Sequence, residues 1–377
     1  MSPTGHFPSR DLIEEWDDLV DRVSGSPFMR PGWILPSWQA FCRGEIDVIA
    51  LRDQGRLRAV LPLSRRGGVA NSPTHDDTPI FGLIAEDSTA GEEVTHRLLS
   101  SRPRRIELSH IAASDPFLAY MTGLLQGYGY RYLSRPIALA PYLNTRGTWE
   151  SYQRELGRKR RGELRRRLRR LSELGRLTLD VKDETSSLSD LLNEGFGIES
   201  SGWKGEYGTA VHSRRQTRWF YDHVARWAAN RGWLRLSFLR LDGRAVAFDY
   251  SIEVGSVHYL LKTAYDPAYR ALSPGVVLRM LMLQRAFELD EVDRYDFLGT
   301  VVGQANRWKL DWTQACEERL ALMAVTSSVA GWLDFQARGR GGHVLRTARG
   351  AITDLVGDGG RRVYRRARGA LRRGWSR

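Results

Sequence analysis

Cysteine is scarce in this chain of 377 residues. Cys42 and Cys316 are the two, and their wide separation argues against a disulfide framework or a cysteine metal cluster. Long apolar runs are missing as well. No window offers the roughly 20 apolar residues that a spanning helix needs. The stretch Met1 to Asp18 is polar and acidic, unlike a secretory leader. The expected location is the cytoplasm, with peripheral attachment at the inner face of the membrane as a variant. His212, His223 and His258 have no partner at metal-ligand spacing, so they read as ordinary surface or core residues and no metal is expected. Neither a Ser/His/Asp arrangement nor a Walker-type phosphate loop is visible.

What is present is a globular composition, 42% hydrophobic and 27% charged, in a chain long enough for two domains with their own cores. The net charge of +13 is unevenly placed. Arg154 to Arg176 holds 11 Lys/Arg against 3 Asp/Glu, and Arg338 to Arg377 holds 12 Arg against 2 Asp. The rest is mildly acidic. Two local basic segments suit a polyanion or an anionic membrane, whereas the body need not. In the first, Leu164, Leu168 and Leu171 give a helix one narrow apolar stripe. It reads as a solvated surface helix or as a binder of an anionic substrate, membrane or RNA. The second segment suggests basic amphipathic helices ending in Trp375, which fit an anionic membrane surface; a solubilising tail is the plainer reading. Nucleic-acid binding is open, but no recognised motif for it accompanies the charge.

The chain repeats itself. Leu51-Arg-x-x-Gly55-Arg56-x-x-Ala59 returns as Leu239-Arg-x-x-Gly243-Arg244-x-x-Ala247, an offset of 188. Arg105 to Leu108 returns as Arg294 to Phe297, an offset of 189. Each first motif reads as a β-hairpin about a Gln-Gly or Asp-Gly turn. In the second half, strands are expected at Leu234–Leu241, Arg244–Glu253 and Val257–Tyr265. A helix is expected next, from Ser273 to about Leu289, then a short strand at Arg294–Leu298. Gln216 to Asn230 has helical spacing upstream. This order is an α+β layout over a mixed sheet.

Ser273-Pro274-Gly275 opens the later helix. Ser suits the N-cap and Pro the first turn. The unpaired N–H groups and positive dipole end there suit a phosphate, and Gly275 has no side chain to block one. Just before it, Lys262, Tyr265 and Asp266 close a strand; Lys262 and Asp266 could be an ion pair or substrate contacts. Asp249 is an acid in an otherwise apolar strand. It could be a base with a raised pKa or a residue on the solvent face. Asp296 could be catalytic, or fix the turn before Gly299. Trp203 and Lys204 lie between glycines, as a substrate lid or a core plug.

These residues resemble the Gcn5-related (GNAT) acetyltransferase superfamily, and within it the two-lobed, CelD-like branch linked to cellulose and exopolysaccharide biosynthesis. The matching stretches are Ser201-Gly-Trp-Lys-Gly205, Leu239 to Phe248, Leu260 to Asp266, Leu272-Ser-Pro-Gly275, Tyr295-Asp-Phe-Leu-Gly299 and Trp308-Lys-Leu-Asp-Trp312. They fall in family order; the first half matches weakly. The resemblance implies tandem GNAT-like lobes at 1–145 and 146–327, each a mixed, mostly antiparallel sheet flanked by helices, with a basic tail at 328–377. It implies acetyl-coenzyme A, or another acyl-coenzyme A, as co-substrate. The acyl-pantetheine arm would enter a split beside Leu261 and Lys262, with the pyrophosphate at Ser273, Gly275, Val276 and Val277. Tyr265, Asp249 and Asp296 become candidates for proton transfer; Trp203, Lys204, Lys262, Asp266 and Lys309 become candidates for binding the acceptor. The implied activity is direct acyl transfer to an amine or hydroxyl of a polysaccharide or cell-envelope precursor. One departure is that a single glycine remains before the helix, where the superfamily pattern has more, and Pro274 has no N–H to give. Two other readings stand beside it. Two-lobed relatives that build cell-wall peptide bridges use aminoacyl-tRNA, but they insert a coiled-coil arm for which Arg158 to Leu174 is too short. The third reading is a non-catalytic accessory of a membrane polysaccharide synthase.

Overall fold

The computed structural model describes residues 7–75, 77–183, 187–201, 211–289, 291–299 and 306–326. The tail proposed for membrane contact, and Trp203 and Lys204, lie outside them.

The two repeated motifs fold as the sequence requires. In the first half, β1 (Glu45–Asp53) and β2 (Arg56–Arg66) pair antiparallel about Gln54-Gly55. In the second half, β8 (Leu234–Leu241) and β9 (Arg244–Val254) do so about Asp242-Gly243. Both turns carry positive φ at both central residues, 49° and 82° in each case, the type I′ geometry that matches strand twist and favours glycine. The likeness continues. β3 (Val69–Asn71) runs antiparallel to β2 and parallel to β5 (Arg105–Ala112), with Val69 opposite Arg105. β10 (Val257–Tyr265) runs antiparallel to β9 and parallel to β11 (Arg294–Asp296), with Val257 opposite Arg294. The fold is therefore two lobes with one strand order, each a mixed, mostly antiparallel sheet.

The sheets join into one of 12 strands. β4 (Ile84–Ala85) pairs only β2, and β7 (Leu177–Lys182) closes the far edge against β8. At the junction the lobes exchange strands. β6 (Tyr130–Asn144) pairs β11 through Tyr142–Asn144, while β12 (Cys316–Thr326) inserts between β5 and β6. A strand from the end of the described chain thus completes the sheet of the first lobe.

Helices cover the faces. α1 (Arg10–Arg22), α2 (Pro31–Phe41), α3 (Ser88–Ser100) and α4 (Pro116–Leu125) belong to the first lobe. α5 (Trp149–Glu155), α6 (Gly157–Ser172), α7 (Leu188–Ser201), α8 (Arg215–Asn230) and α9 (Pro274–Glu288) belong to the second. α6 is the basic helix. Its leucine stripe is buried with α9, while Arg158, Lys159, Arg165, Arg166, Arg169 and Arg170 are exposed.

One apolar core runs through both lobes. Phe28 meets Tyr259 edge-on at 5.1 Å, and Trp33 meets Phe220 at 5.1 Å. The approach of α2 to α8 requires Gly32, since a β-carbon there would lie 2.1 Å from the Trp227 indole nitrogen. Gly32→Ala is expected to destabilise the fold by about 1–3 kcal/mol through overpacking. Urea unfolding would check this; an unchanged midpoint would mean that the helices slide apart freely.

Candidate active site

The second lobe opens where β10 outruns its neighbour. β10 pairs β11 only from Val257 to Tyr259, opposite Arg294 to Asp296. Phe297 then donates its N–H to the Pro141 carbonyl (3.1 Å), so the chain after β11 stays with β6. The ladder with β11 ends at Tyr259, whereas β9 goes on pairing β10 to Tyr265. A bulge between Leu260 and Lys262 makes Leu261 the extra residue and re-aims the rest of the strand. The result is a split between strands, with β10 forming one wall.

α9 begins at the top of that wall. Gly275 faces Tyr265, whose ring would sit 3.4 Å from an added β-carbon. Pro274 takes the first helical position as expected. Ser273 departs from expectation: it holds a left-handed φ of 55° and its hydroxyl caps nothing. Its carbonyl instead accepts from Val276 (3.0 Å) and Val277 (3.3 Å). That tight turn occupies two of the N–H groups expected to face a phosphate. The Gly275 N–H remains without an acceptor among the described residues. Gly275 adds no side chain at this end of the split. Neighbouring α6, with its exposed cations, packs against the 3-10 turn Pro267–Leu272 and α9.

On the α7/α8 side of the sheet, Lys262 reaches across to the first lobe. Its ammonium is 2.9 Å from Asp77 and 4.8 Å from the Tyr221 ring centroid. The Tyr221 hydroxyl also hydrogen-bonds Asp77; burial, with the Asp77 charge beside it, raises its pKa well above the phenol range. His75 accepts from the Asp77 N–H at its Nδ1 (3.2 Å) and stacks on Phe41 at 4.1 Å. Burial lowers its pKa to about 4. Lys262 is thus paired, but with a carboxylate of the other lobe rather than with Asp266. Asp266 caps the 3-10 turn through the Ala268 N–H (2.9 Å) and pairs with Arg244 (2.8 Å).

The other carboxylates are closed in. Asp296 ends β11 with its side chain 4% exposed. It accepts from the Leu298 N–H (2.9 Å) and pairs with Arg294 (2.7 Å). Burial raises its pKa, and Arg294 and the Leu298 N–H moderate the rise. The turn-fixing reading of Asp296 matches this geometry. Asp249 is fully buried on the α9 side, 2.8 Å from Arg279, and not on a solvent face. Lys309 is buried as well; its ammonium donates to the carbonyls of Phe297 (2.9 Å) and Leu298. It ties down the chain after β11 and offers no open ammonium to an acceptor.

Sequence reading missed Asp77, Tyr221 and Arg279. Arg279 did carry a signal, as the lone charge in the aliphatic run Val276 to Leu283. Asp77 carried none, because only the lobe packing brings it to Lys262. Among the described residues no group of His, Cys, Asp and Glu could hold a metal. Nor is any described helix long and apolar enough to cross a membrane.

The second lobe thus combines a parted pair of parallel strands, a bulge at the parting and a helix starting above it. Residues 158–310 match the acetyltransferase (GNAT) domain family. No curated protein matches the chain. Among solved structures, FemX is 13% identical with a TM-score of 0.57, over 84% of this chain and 96% of that one. A C-terminal domain described as that of a lysylphosphatidylglycerol synthetase from Agrobacterium fabrum is 14% identical, TM-score 0.53, over 87% and 96%. L-PGS from Bacillus licheniformis is 10% identical, TM-score 0.54, over 89% and 97%. At these identities the likeness is one of fold.

Proposed function

We propose that the protein is an acyltransferase that takes an acyl group from acyl-coenzyme A, acetyl-coenzyme A first among candidates. The acceptor is an amine or hydroxyl of a polysaccharide or cell-envelope precursor. The observation that carries the donor side is the split between β10 and β11, topped by the Gly275 end of α9. The acceptor class rests on the sequence resemblance alone. In the reaction, the acceptor nitrogen or oxygen bonds to the thioester carbon and the carbon–sulfur bond breaks. The acceptor loses a proton and the departing thiolate gains one. Tyr265, packed against Gly275 at the end of β10, is our candidate to supply that second proton. Backbone N–H groups of β10 that face the split would stabilise the oxyanion.

An acetyl-coenzyme A titration of the full chain tests the donor. At ~100 times its dissociation constant the ligand adds ~2.7 kcal/mol of stability, read as a rise in Tm. The rise should exceed that given by adenosine 3′,5′-bisphosphate and should vanish in Gly275→Trp. No rise at millimolar ligand would overturn the donor assignment.

A second reading has an aminoacyl-tRNA donor. It is favoured by the single open amide at α9 and by the exposed cations of α6, which would hold phosphates through side chains. Stabilisation by tRNA with none by acetyl-coenzyme A would select it.

A further inference from the structure

On the α9 side of the split, one side chain ties together strands that lie on either side of β10. Arg279 of α9 is 1% exposed. Its guanidinium lies 2.8 Å from Asp249 on β9, and its Nη1 donates to the Tyr295 hydroxyl on β11. The two partners stand at different levels of the sheet. Tyr295 is opposite His258, within the short stretch where β10 and β11 still pair. Asp249 is opposite Thr263, on the stretch where β10 has left β11. Arg279 therefore links the closed root of the split to its open wall.

Tyr295 is held from behind. The His258 ring stacks on it at 4.5 Å, with 20° between planes. His258 in turn holds Glu253 through Nδ1 at 2.8 Å, and Glu253 pairs with Arg235 at 2.7 Å. The polar atoms around the guanidinium are otherwise sparsely bonded. Arg279 Nε and Nη2, both Asp249 oxygens and the hydroxyls of Ser237 and Ser251 are buried without an aligned hydrogen bond among the described residues. Charge thus holds Arg279 to Asp249, whereas a directed hydrogen bond holds it to Tyr295. Native cores seldom leave so many polar atoms together unmatched, and a role beyond packing accounts for keeping them.

We infer that Arg279 and Tyr295 are positioning residues that set the width of the split, and with it the fit of the donor's acyl-pantetheine arm. This rests on the acyl-coenzyme A reading. The adenosine bisphosphate end of the donor would lie outside the split, so its binding should not depend on the tie. That difference separates positioning from general support of the fold.

The test uses the full chain and two probes, acetyl-coenzyme A and adenosine 3′,5′-bisphosphate, titrated calorimetrically. Tyr295→Phe removes one hydroxyl and keeps the stacked ring. It should weaken acetyl-coenzyme A about tenfold, as expected of a misplaced binding wall, and leave the bisphosphate within about twofold. Arg279→Lys keeps a charge for Asp249 but loses the planar fork that reaches both strands, and should show the same selective loss. Equal losses on both probes, or no loss on either in Tyr295→Phe, would overturn the inference while leaving the donor reading intact. If the wild-type chain binds neither probe, the donor reading fails and the inference fails with it.

Discussion

Arg279→Met is expected to lower the unfolding free energy by about 3–5 kcal/mol, the usual cost of stripping one partner from a buried ion pair. Arg279 and Asp249 are each 1% exposed in their side chains, so neither charge has water to fall back on. Without the guanidinium, Asp249 is left as a buried carboxyl stripped of its charge partner, and that costs stability. Attraction between the two charges does not make the pair a net stabiliser, because burying both is itself costly. The double variant Asp249→Leu/Arg279→Met should therefore recover most of what the single variant loses. Urea unfolding of four proteins, the wild type, Asp249→Leu, Arg279→Met and the double variant, would show it. A double variant as unstable as the sum of its singles would mean that the two residues act separately.

Acidification should destabilise the fold through His75. Its pKa is pushed down to about 4 from the usual 6.5 because the imidazole is buried between Phe41 and Phe220. The folded chain thus refuses a proton that the unfolded chain accepts. Above pH 6.5 neither state carries it, and the contribution is fully present. As pH falls from 6.5 to about 4 the unfolded state binds more protons and stability drops. The full loss for a shift of this size is roughly 3 kcal/mol. His75→Phe keeps the ring packing and removes the titration. Unfolding free energies at about pH 7, 5.5 and 4.5, spanning that window, should diverge between wild type and variant; parallel curves would exclude His75 as the cause.

Much of the second lobe was legible in the sequence. The hairpin strands, β10, α8 and α9 fall within a residue or two of their expected bounds, because alternation, an Asp-Gly turn and a Pro-opened helix are local signals. The repeat was legible for the same reason, since both copies keep the glycine that a type I′ turn needs. What escaped was non-local. Ser273 looked like a cap, but the 3-10 turn before it forces a left-handed backbone and its carbonyl takes the role. Lys309 stood as a candidate for binding the acceptor, yet it reaches back to the carbonyls of Phe297 and Leu298 that follow β11. Asp249 read equally as solvent-facing or as a raised base, because one strand does not reveal which helix covers it. Lys262 found its carboxylate in the other lobe, at a distance along the chain that no local pattern bridges.

The placement of β12 governs how this molecule must be made. The strand that fills the gap between β5 and β6 follows every other described strand along the chain, so it leaves the ribosome after them. Until then those two strands face each other across an empty slot, with open edges on both sides, the condition under which nascent chains recruit wrong partners. The first lobe is thus synthesised first and finished last. An expression fragment ending before Cys316 would leave its central sheet unsealed. Supplying Cys316–Thr326 in trans as a peptide would be a direct way to watch the lobe close.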